Sequence, residues 1–203
     1  MTRRLWLVRH GETAGQSSIR FHGKNDVPLS DEGRAQIRAL APWLAGAQFT
    51  AIVHSPQSRA VESAAILAEA CGFATVERRA DERLREISFG DCEGLTAEEI
   101  EARFPEFWRE HRAGRALAFP NGEPRADYAA RVAAAARELV AEPWSGDLLV
   151  VAHRGTVRQF GRALLGFPSD AEDPFAVGLG SLTILRQDPG SAAFRLELLG
   201  ALP

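Results

Sequence analysis

The chain has 203 residues, 45% of them hydrophobic and 25% charged, with a formal charge of -3. These are the values of an ordinary globular protein, and they favour one domain, residues 1–203, with a sizeable core. They give no general attraction to nucleic acid or to an anionic membrane, so any anion site must be local. Of the 24 basic residues only Lys24 is lysine, so each arginine needs a positional argument. Cys71 and Cys92 are the only cysteines, too few for a disulfide framework. The start "MTRR" leads into too few apolar residues for a signal segment or a membrane span, and a cytoplasmic location is the expectation.

In chain order, Leu5–Val8 reads as a short buried strand that ends abruptly in Arg9 and His10. "LSDEGRAQIRALAPWLAG" reads as a helix capped by Ser30 and stopped by Gly46. Its apolar face is Ile37, Leu40, Ala41 and Leu44, and Pro42 predicts a kink. "TAIVHS" is a second strand. "SPQSRAVESAAILAEACG" is a second helix, with Ser55 as the expected cap, Pro56 in the first turn, and Val61, Ala64, Ala65 and Ala68 as the apolar stripe. "ATVER" suggests a third strand.

Thr96 and Glu99 have capping-box spacing. The stretch from there to Pro124 mixes aromatics, arginines, Gly and Pro, and reads as a lid-like insertion, roughly 96–124. "RADYAARVAAAARELVAEPW" is a long helix with Tyr128, Val132, Ala135 and Leu139 on one side. "DLLVVAH" is an almost wholly apolar strand, "GTVRQFGRALLG" a helix, and "SLTILR" and "FRLELL" late strands that suit an antiparallel edge. The alternation implies an α/β fold with a largely parallel sheet, whose ligands bind beyond the carboxyl ends of the strands.

Three of those strand ends carry unusual chemistry: "VRHG" with Arg9 and His10, "HSPQSR" with Arg59, and "VAHRGT" with His153. If the strands are parallel, two imidazoles and two guanidiniums meet at one edge. Helix N-termini after Ser55 and Gly155 would add backbone donors. That set suits a compact oxyanion such as phosphate. Taken singly, such a histidine is usually a packed structural residue and such an arginine a solvated one. The five histidines, His10, His22, His54, His111 and His153, form neither HxH nor HExxH, which argues against a metal. Neither G-x-S-x-G nor a nucleotide-binding glycine motif occurs.

The ordered set "LVRHGET", "FHGKNDVPLSDEG", "IVHSPQSRAVESA", "LREISFGDCEGLT", "NGEPRADYAARV" and "LVVAHRGTVRQFGRALLG" resembles the histidine phosphatase superfamily, the phosphoglycerate mutase-like proteins, over most of the chain. The resemblance implies a three-layer α/β sandwich with a mostly parallel central sheet. It implies a metal-independent phosphatase that needs no cofactor. His10 would become the phosphohistidine, Arg9, Arg59 and His153 would hold the phosphoryl group, and Glu86 would donate the proton. Gln16, Ser17, Gly23 and Gly155 are the further phosphate-binding candidates, and Thr13 is expected to position a loop. Without the resemblance, Glu86 would read as the partner of Arg83 or Arg85.

The chain departs from the family pattern at four places: Gln16 for the usual Asn, Arg154 after the second histidine, Pro124 in "GEP", and Cys92 before "EG". Hydrolysis of a small phosphorylated metabolite is the expected activity, with α-ribazole phosphatases and broad-range sugar or carboxylate phosphatases as candidate kin. The alternatives are a phosphoglycerate-type mutase, to which the short chain is less suited, and a catalytically silent phosphate-binding module. Trp108, Arg109, His111, Arg112 and Arg115 in the lid hint at a second anionic group, although a solvated basic face is the simpler reading. The sequence leaves oligomeric state open, a homodimer being common among such folds.

Overall fold

A computed structural model describes residues 2–167 and 175–203. A six-stranded sheet has the order β3-β2-β4-β1-β5-β6. The parallel strands are β1 (Arg3–Arg9), β2 (Phe49–His54), β3 (Glu77–Ala80) and β4 (Asp147–Ala152). β5 (Leu182–Gln187) and β6 (Phe194–Ala201) continue it as an antiparallel edge. The fold is therefore the mostly parallel α/β sheet that the sequence implied.

Side chains alternate across the sheet. Leu5, Leu7, Val53, Leu148 and Val150 face a core completed by α6 (Arg125–Ala141) and α7 (Arg154–Leu165). Trp6, Val8, Ile52, Leu149 and Val151 face the opposite core, closed by α1 (Asp31–Ala39), α2 (Ala41–Leu44) and α3 (Ser58–Ala70). Every residue of β4 is buried, as its unbroken apolar run required. Burying each Leu or Val there contributes roughly 1.5–3 kcal/mol.

Local chemistry sets the helix boundaries. Ser30 Oγ accepts from Gly33 N at 3.1 Å and caps α1 as expected. The helix breaks at Leu40, and Pro42 sits in the first turn of the separate α2, so the expected single kinked helix is two helices. Thr96 and Glu99 complete their capping box at the head of α4 (Ala97–Arg103). α5 (Pro105–Arg112) follows at once, and Cys92, Ile100, Trp108 and Phe119 form a third apolar cluster beneath this segment.

Three expectations are corrected. Ser55 does not cap α3, which starts at Ser58 behind an extended Gln57; the serine hydroxyl is committed to His153 Nε2 at 2.8 Å. Pro56 consequently precedes the helix. Of the expected stripe Ala64 and Ala68 are buried, but Val61 is 40% exposed and Ala65 only partly buried, because the buried face of α3 centres on Ala60, Ser63, Ala64 and Leu67. β3 begins at Glu77, not at Ala74, and is a short, largely exposed edge strand.

Parallel register places the working ends together. Arg9 pairs with Ala152, and His54 pairs with Val151. His10, His153 and the Ser55–Arg59 turn therefore leave the sheet at the same edge.

Candidate active site

The loop after β1 is held tightly against the N-terminus of α1. A Cβ on Gly11 would lie 2.3 Å from Gly33 O, and one on Gly33 would lie 1.9 Å from Glu12 O. Only glycines permit this approach. Glu12 organises the loop by accepting from Thr13 N at 2.7 Å and from Ser18 N at 3.1 Å. Thr13 Oγ1 bonds Ser17 Oγ at 2.8 Å and accepts from Ser17 N, which is the loop-positioning role expected of it.

The imidazole of His10 is buried, and its Nδ1 lies 2.7 Å from Gly11 O. A carbonyl can only accept, so Nδ1 carries the proton and Nε2 presents a lone pair. Burial first, then the guanidiniums of Arg59 and Arg9, hold its pKa well below the usual imidazole range. The ring is therefore neutral at pH 7.

Arg59 is 2% exposed. Its Nη1 donates to Asn25 O at 2.8 Å, its Nη2 to Gly23 O at 2.7 Å, and its Nε to His153 Nδ1 at 3.3 Å. Three of its five N–H donors are thus used to aim the rest. Arg9 Nη1 donates to Val177 O at 2.9 Å, while its Nε is buried without a partner among the described residues. Burial pushes Arg9 down to about 10, a value at which it stays charged near neutrality.

His153 is fully buried, and its ring centroid lies 5.2 Å from that of His10, edge to face. Its nitrogens are taken by Arg59 Nε and Ser55 Oγ. Burial, then Arg59, holds it well below the ordinary imidazole pKa.

Glu86 is not the partner of Arg83 or Arg85. Arg83 pairs with Asp81 and Glu138, and Arg85 with Glu82. Glu86 Oε1 instead accepts from Tyr128 OH at 2.6 Å and Ile87 N at 3.1 Å, and Oε2 accepts from Gly155 N at 3.1 Å. Burial and then the adjacent carboxylate raise the Tyr128 pKa well above its ordinary value, so it remains a donor. A Cβ on Gly155 would meet Glu86 Oε1 and Tyr128 OH at 2.6 Å, so that glycine also makes room for the carboxylate.

Gln57 ties the two halves of the site. Its Nε2 donates to Gly23 O at 2.8 Å, and its Oε1 accepts from Glu86 N at 3.0 Å. Glu93 makes a second tie, accepting from Lys24 N and Phe89 N through Oε1 and from Asn25 N through Oε2. Arg131 supports the Glu86 loop from α6. It donates to the carbonyls of Arg83, Arg85 and Glu86 while pairing twice with Glu123.

Arg9, His10, Ser17, Gly23, Arg59 and Glu86 line one cleft of about 160 Å³. Three other sequence candidates sit elsewhere. Gln16 lies off the wall, in a left-handed turn (φ 62°) whose carbonyl accepts from Ile19 and Arg20. Gly155 directs its N–H to Glu86, and His153 stands behind Arg59. Arg154 lies at the rim of the cleft and adds positive charge there. Cys92 is buried in the cluster under the Glu86 loop, and Pro124 directly precedes α6.

Sequence reasoning missed Gln57, Tyr128 as a site group, Arg131, and His22, whose ring lines the cleft. Tyr128 was visible only as one member of an apolar stripe, and nothing in the pattern marked its hydroxyl. Among the described residues no three His, Cys, Asp or Glu side chains are grouped to hold a metal ion.

A neutral imidazole, two guanidiniums and a carboxylate lining one cleft at the edge of an α/β sheet are the groups that phosphoryl transfer uses. The chain belongs to the histidine phosphatase superfamily (branch 1), whose family model matches residues 5–199. It is similar to the glucosyl-3-phosphoglycerate phosphatase of Mycobacterium tuberculosis, at 38% identity over 187 residues, covering 88% of this chain and 82% of that protein. A solved mycobacterial glucosyl-3-phosphoglycerate phosphatase superposes with a TM-score of 0.86 at 36% identity, covering 99% of this chain and 100% of that one. The α-ribazole phosphatase of Shigella flexneri gives a TM-score of 0.85 at 25% identity, with 98% and 96% covered. A Yersinia enterocolitica protein named "Probable phosphoglycerate mutase GpmB" is 33% identical over 178 residues, covering 83% of this chain and 77% of that protein.

Proposed function

We propose that this protein is a phosphomonoesterase that hydrolyses a small phosphorylated metabolite through a phosphohistidine on His10. The observation that carries the reading is the Nδ1–H bond from His10 to Gly11 O, which turns an unprotonated Nε2 toward a cleft lined by Arg9 and Arg59. Nε2 attacks phosphorus in line, and the bond from phosphorus to the ester oxygen breaks. Arg9 and Arg59 neutralise charge on the non-bridging oxygens, with Ser17 and Gly23 bordering them. Glu86 gives its proton to the departing oxygen. The resulting carboxylate then takes a proton from water as the water oxygen displaces Nε2 from phosphorus. His153, Gly155 and Gln57 are positioning residues: the first aims Arg59, the second seats Glu86, and the third joins the two.

The phosphatase-named relatives favour hydrolysis over return of the phosphoryl group to substrate. Glucosyl-3-phosphoglycerate and α-ribazole phosphate head the compounds to be assayed, because relatives are named for them. The segment 96–124 acts as a cover that packs Phe119 onto Phe21 and Phe89, within the single domain that residues 1–203 form. We further propose a cytoplasmic enzyme, which two free cysteines suit, and a homodimer, to be tested by light scattering.

The test is phosphate release in the presence of chelator, with and without bisphosphoglycerate, together with acid-labile labelling from a phosphorus-labelled substrate. Wild type should release phosphate, acquire label and need no bisphosphoglycerate. The His10→Ala variant should do neither. Turnover that survives in His10→Ala overturns the assignment, and a strict need for bisphosphoglycerate favours the mutase.

A further inference from the structure

A carboxyl group has two equivalent oxygens, and its surroundings decide which one carries a reactive proton. Around Glu86 those surroundings are unequal. Oε1 accepts twice, from Tyr128 OH at 2.6 Å and from Ile87 N at 3.1 Å. A carboxylate oxygen offers about two lone pairs, so Oε1 is filled. Oε2 accepts once among the described residues, from Gly155 N at 3.1 Å. One lone pair of Oε2 is therefore left for a proton, and Glu86 lines the cleft that holds Arg9, His10 and Arg59. An acid protonated on Oε2 keeps all three bonds, because Oε1 is then its carbonyl oxygen.

Two of the three donors are backbone N–H groups, which any sequence folded this way would supply. The third, the Tyr128 hydroxyl, is the contribution of a side chain. It comes from the first turn of α6, 42 positions away in the chain. The ring is 4% exposed and belongs to the core cluster with Leu84, Val132 and Val157. The Arg131 guanidinium lies 4.7 Å from the ring centre and donates to Glu86 O. Thr156 Oγ1 lies 3.0 Å from the phenol oxygen and 3.2 Å from Leu84 O. The phenol is thus braced on its face and behind its oxygen. Burial first, and then the Glu86 carboxylate, keep it protonated. A phenylalanine would fill the same space and leave Oε1 with one donor. The proton would then divide between the two oxygens, and the carboxyl would be freer to turn.

We propose that Tyr128 is a positioning residue for the acid: its hydroxyl fills Oε1 and so directs the reactive proton of Glu86 to Oε2. This rests on the phosphatase reading above, with Glu86 as its proton donor. In the first step the Oε2–H bond breaks, and the ester oxygen takes that proton as it leaves phosphorus for Nε2 of His10. In the second, Oε2 takes a proton from the water whose oxygen displaces Nε2. Tyr128 keeps its own proton throughout.

The experiment is Tyr128→Phe, alone and combined with Glu86→Gln. kcat and KM are measured on p-nitrophenyl phosphate and on an alkyl ester, the fastest of glycerol 3-phosphate, glucose 6-phosphate and 3-phosphoglycerate. In Tyr128→Phe, kcat on the alkyl ester should fall by about tenfold to a hundredfold, as for a misplaced reacting group. KM should change by less than about twofold, and kcat on the aryl ester should fall by less than about threefold. Glu86→Gln leaves no proton to direct, so adding Tyr128→Phe to it should lower the alkyl rate no further. The alkyl-to-aryl ratio of kcat is insensitive to the fraction folded, so a merely structural role leaves it unchanged. A ratio unchanged in Tyr128→Phe, where Glu86→Gln lowers it, overturns the proposal and leaves the phosphatase reading standing. So does a double variant in which the two losses multiply. Equal losses on both esters in Glu86→Gln overturn the acid and this proposal with it. A wild type that releases no phosphate from any ester overturns the phosphatase reading and everything built on it.

Discussion

Replacing Glu86 by glutamine keeps the size of the side chain and removes its capacity to give a proton. The structure sets the terms of that exchange. The carboxylate accepts from three donors: Tyr128 OH, Ile87 N and Gly155 N. A glutamine has one acceptor oxygen, so its NH2 must face at least one of these. The orientation with least conflict turns the NH2 toward Tyr128, whose hydroxyl is also 3.0 Å from Thr156 Oγ1 and can donate there while accepting from the amide. The remaining conflict, at Ile87 N, costs about 1–3 kcal/mol as one unsatisfied donor. The variant should therefore fold.

The chemical loss is separate and larger for poor leaving groups. General acid catalysis contributes about 10²–10⁴-fold, so kcat/KM on an alkyl phosphate should fall by that factor, or ~2.7–5.4 kcal/mol of barrier. An aryl phosphate with an acidic leaving phenol needs little proton transfer and should lose no more than about tenfold. The assay is steady-state phosphate release from both esters, with thermal melts to confirm folding. Equal losses on the two esters would refute the proton-donor assignment and leave Glu86 as a positioning group.

Arg131→Met should lower stability by about 2–4 kcal/mol, since it strands three backbone carbonyls and Glu123 in a partly buried place. It should also reduce kcat more on alkyl than on aryl phosphates, and urea melts with the same ester pair check both effects. Gly33→Ala pits a gain in helix propensity of ~1 kcal/mol against a Cβ placed 1.9 Å from Glu12 O. Net destabilisation is expected, and an increase in urea midpoint would contradict the close approach. His10 and His153 both have folded pKa values well below the unfolded 6.5, so between those values the unfolded state binds protons that the folded state lacks. Their contribution is complete above pH 6.5 and is lost as pH falls below it, by up to about 1.4 kcal/mol per unit per group. Urea melts at pH 7 and pH 5 should show this fall, and His10→Gln should reduce its slope.

Much of the fold was legible because its signals are local. The apolar run of β4 announced a central strand, Ser30 and Thr96 announced helix starts, and Pro42 announced a kink that the structure shows as a full break. Arg9, His10 and Arg59 were legible as neighbours in one cleft because each lies at or just past the end of a strand whose direction parallel pairing dictates. Ser55 was misassigned because its hydroxyl is spent on a histidine 98 positions away, and no local rule weighs that. Tyr128 and Arg131 look like ordinary helix residues, and only tertiary packing brings them to the Glu86 loop.

Glu93 does not itself line the cleft, yet its two carboxylate oxygens hold both the strip of backbone whose carbonyls cradle Arg59 and the turn just past Glu86. The proposed anion grip and the proposed proton source are thereby tied to one carboxylate. Loosening that half-buried carboxylate should therefore disturb the seat of Arg59 and the turn past Glu86 together, without removing a single reacting atom.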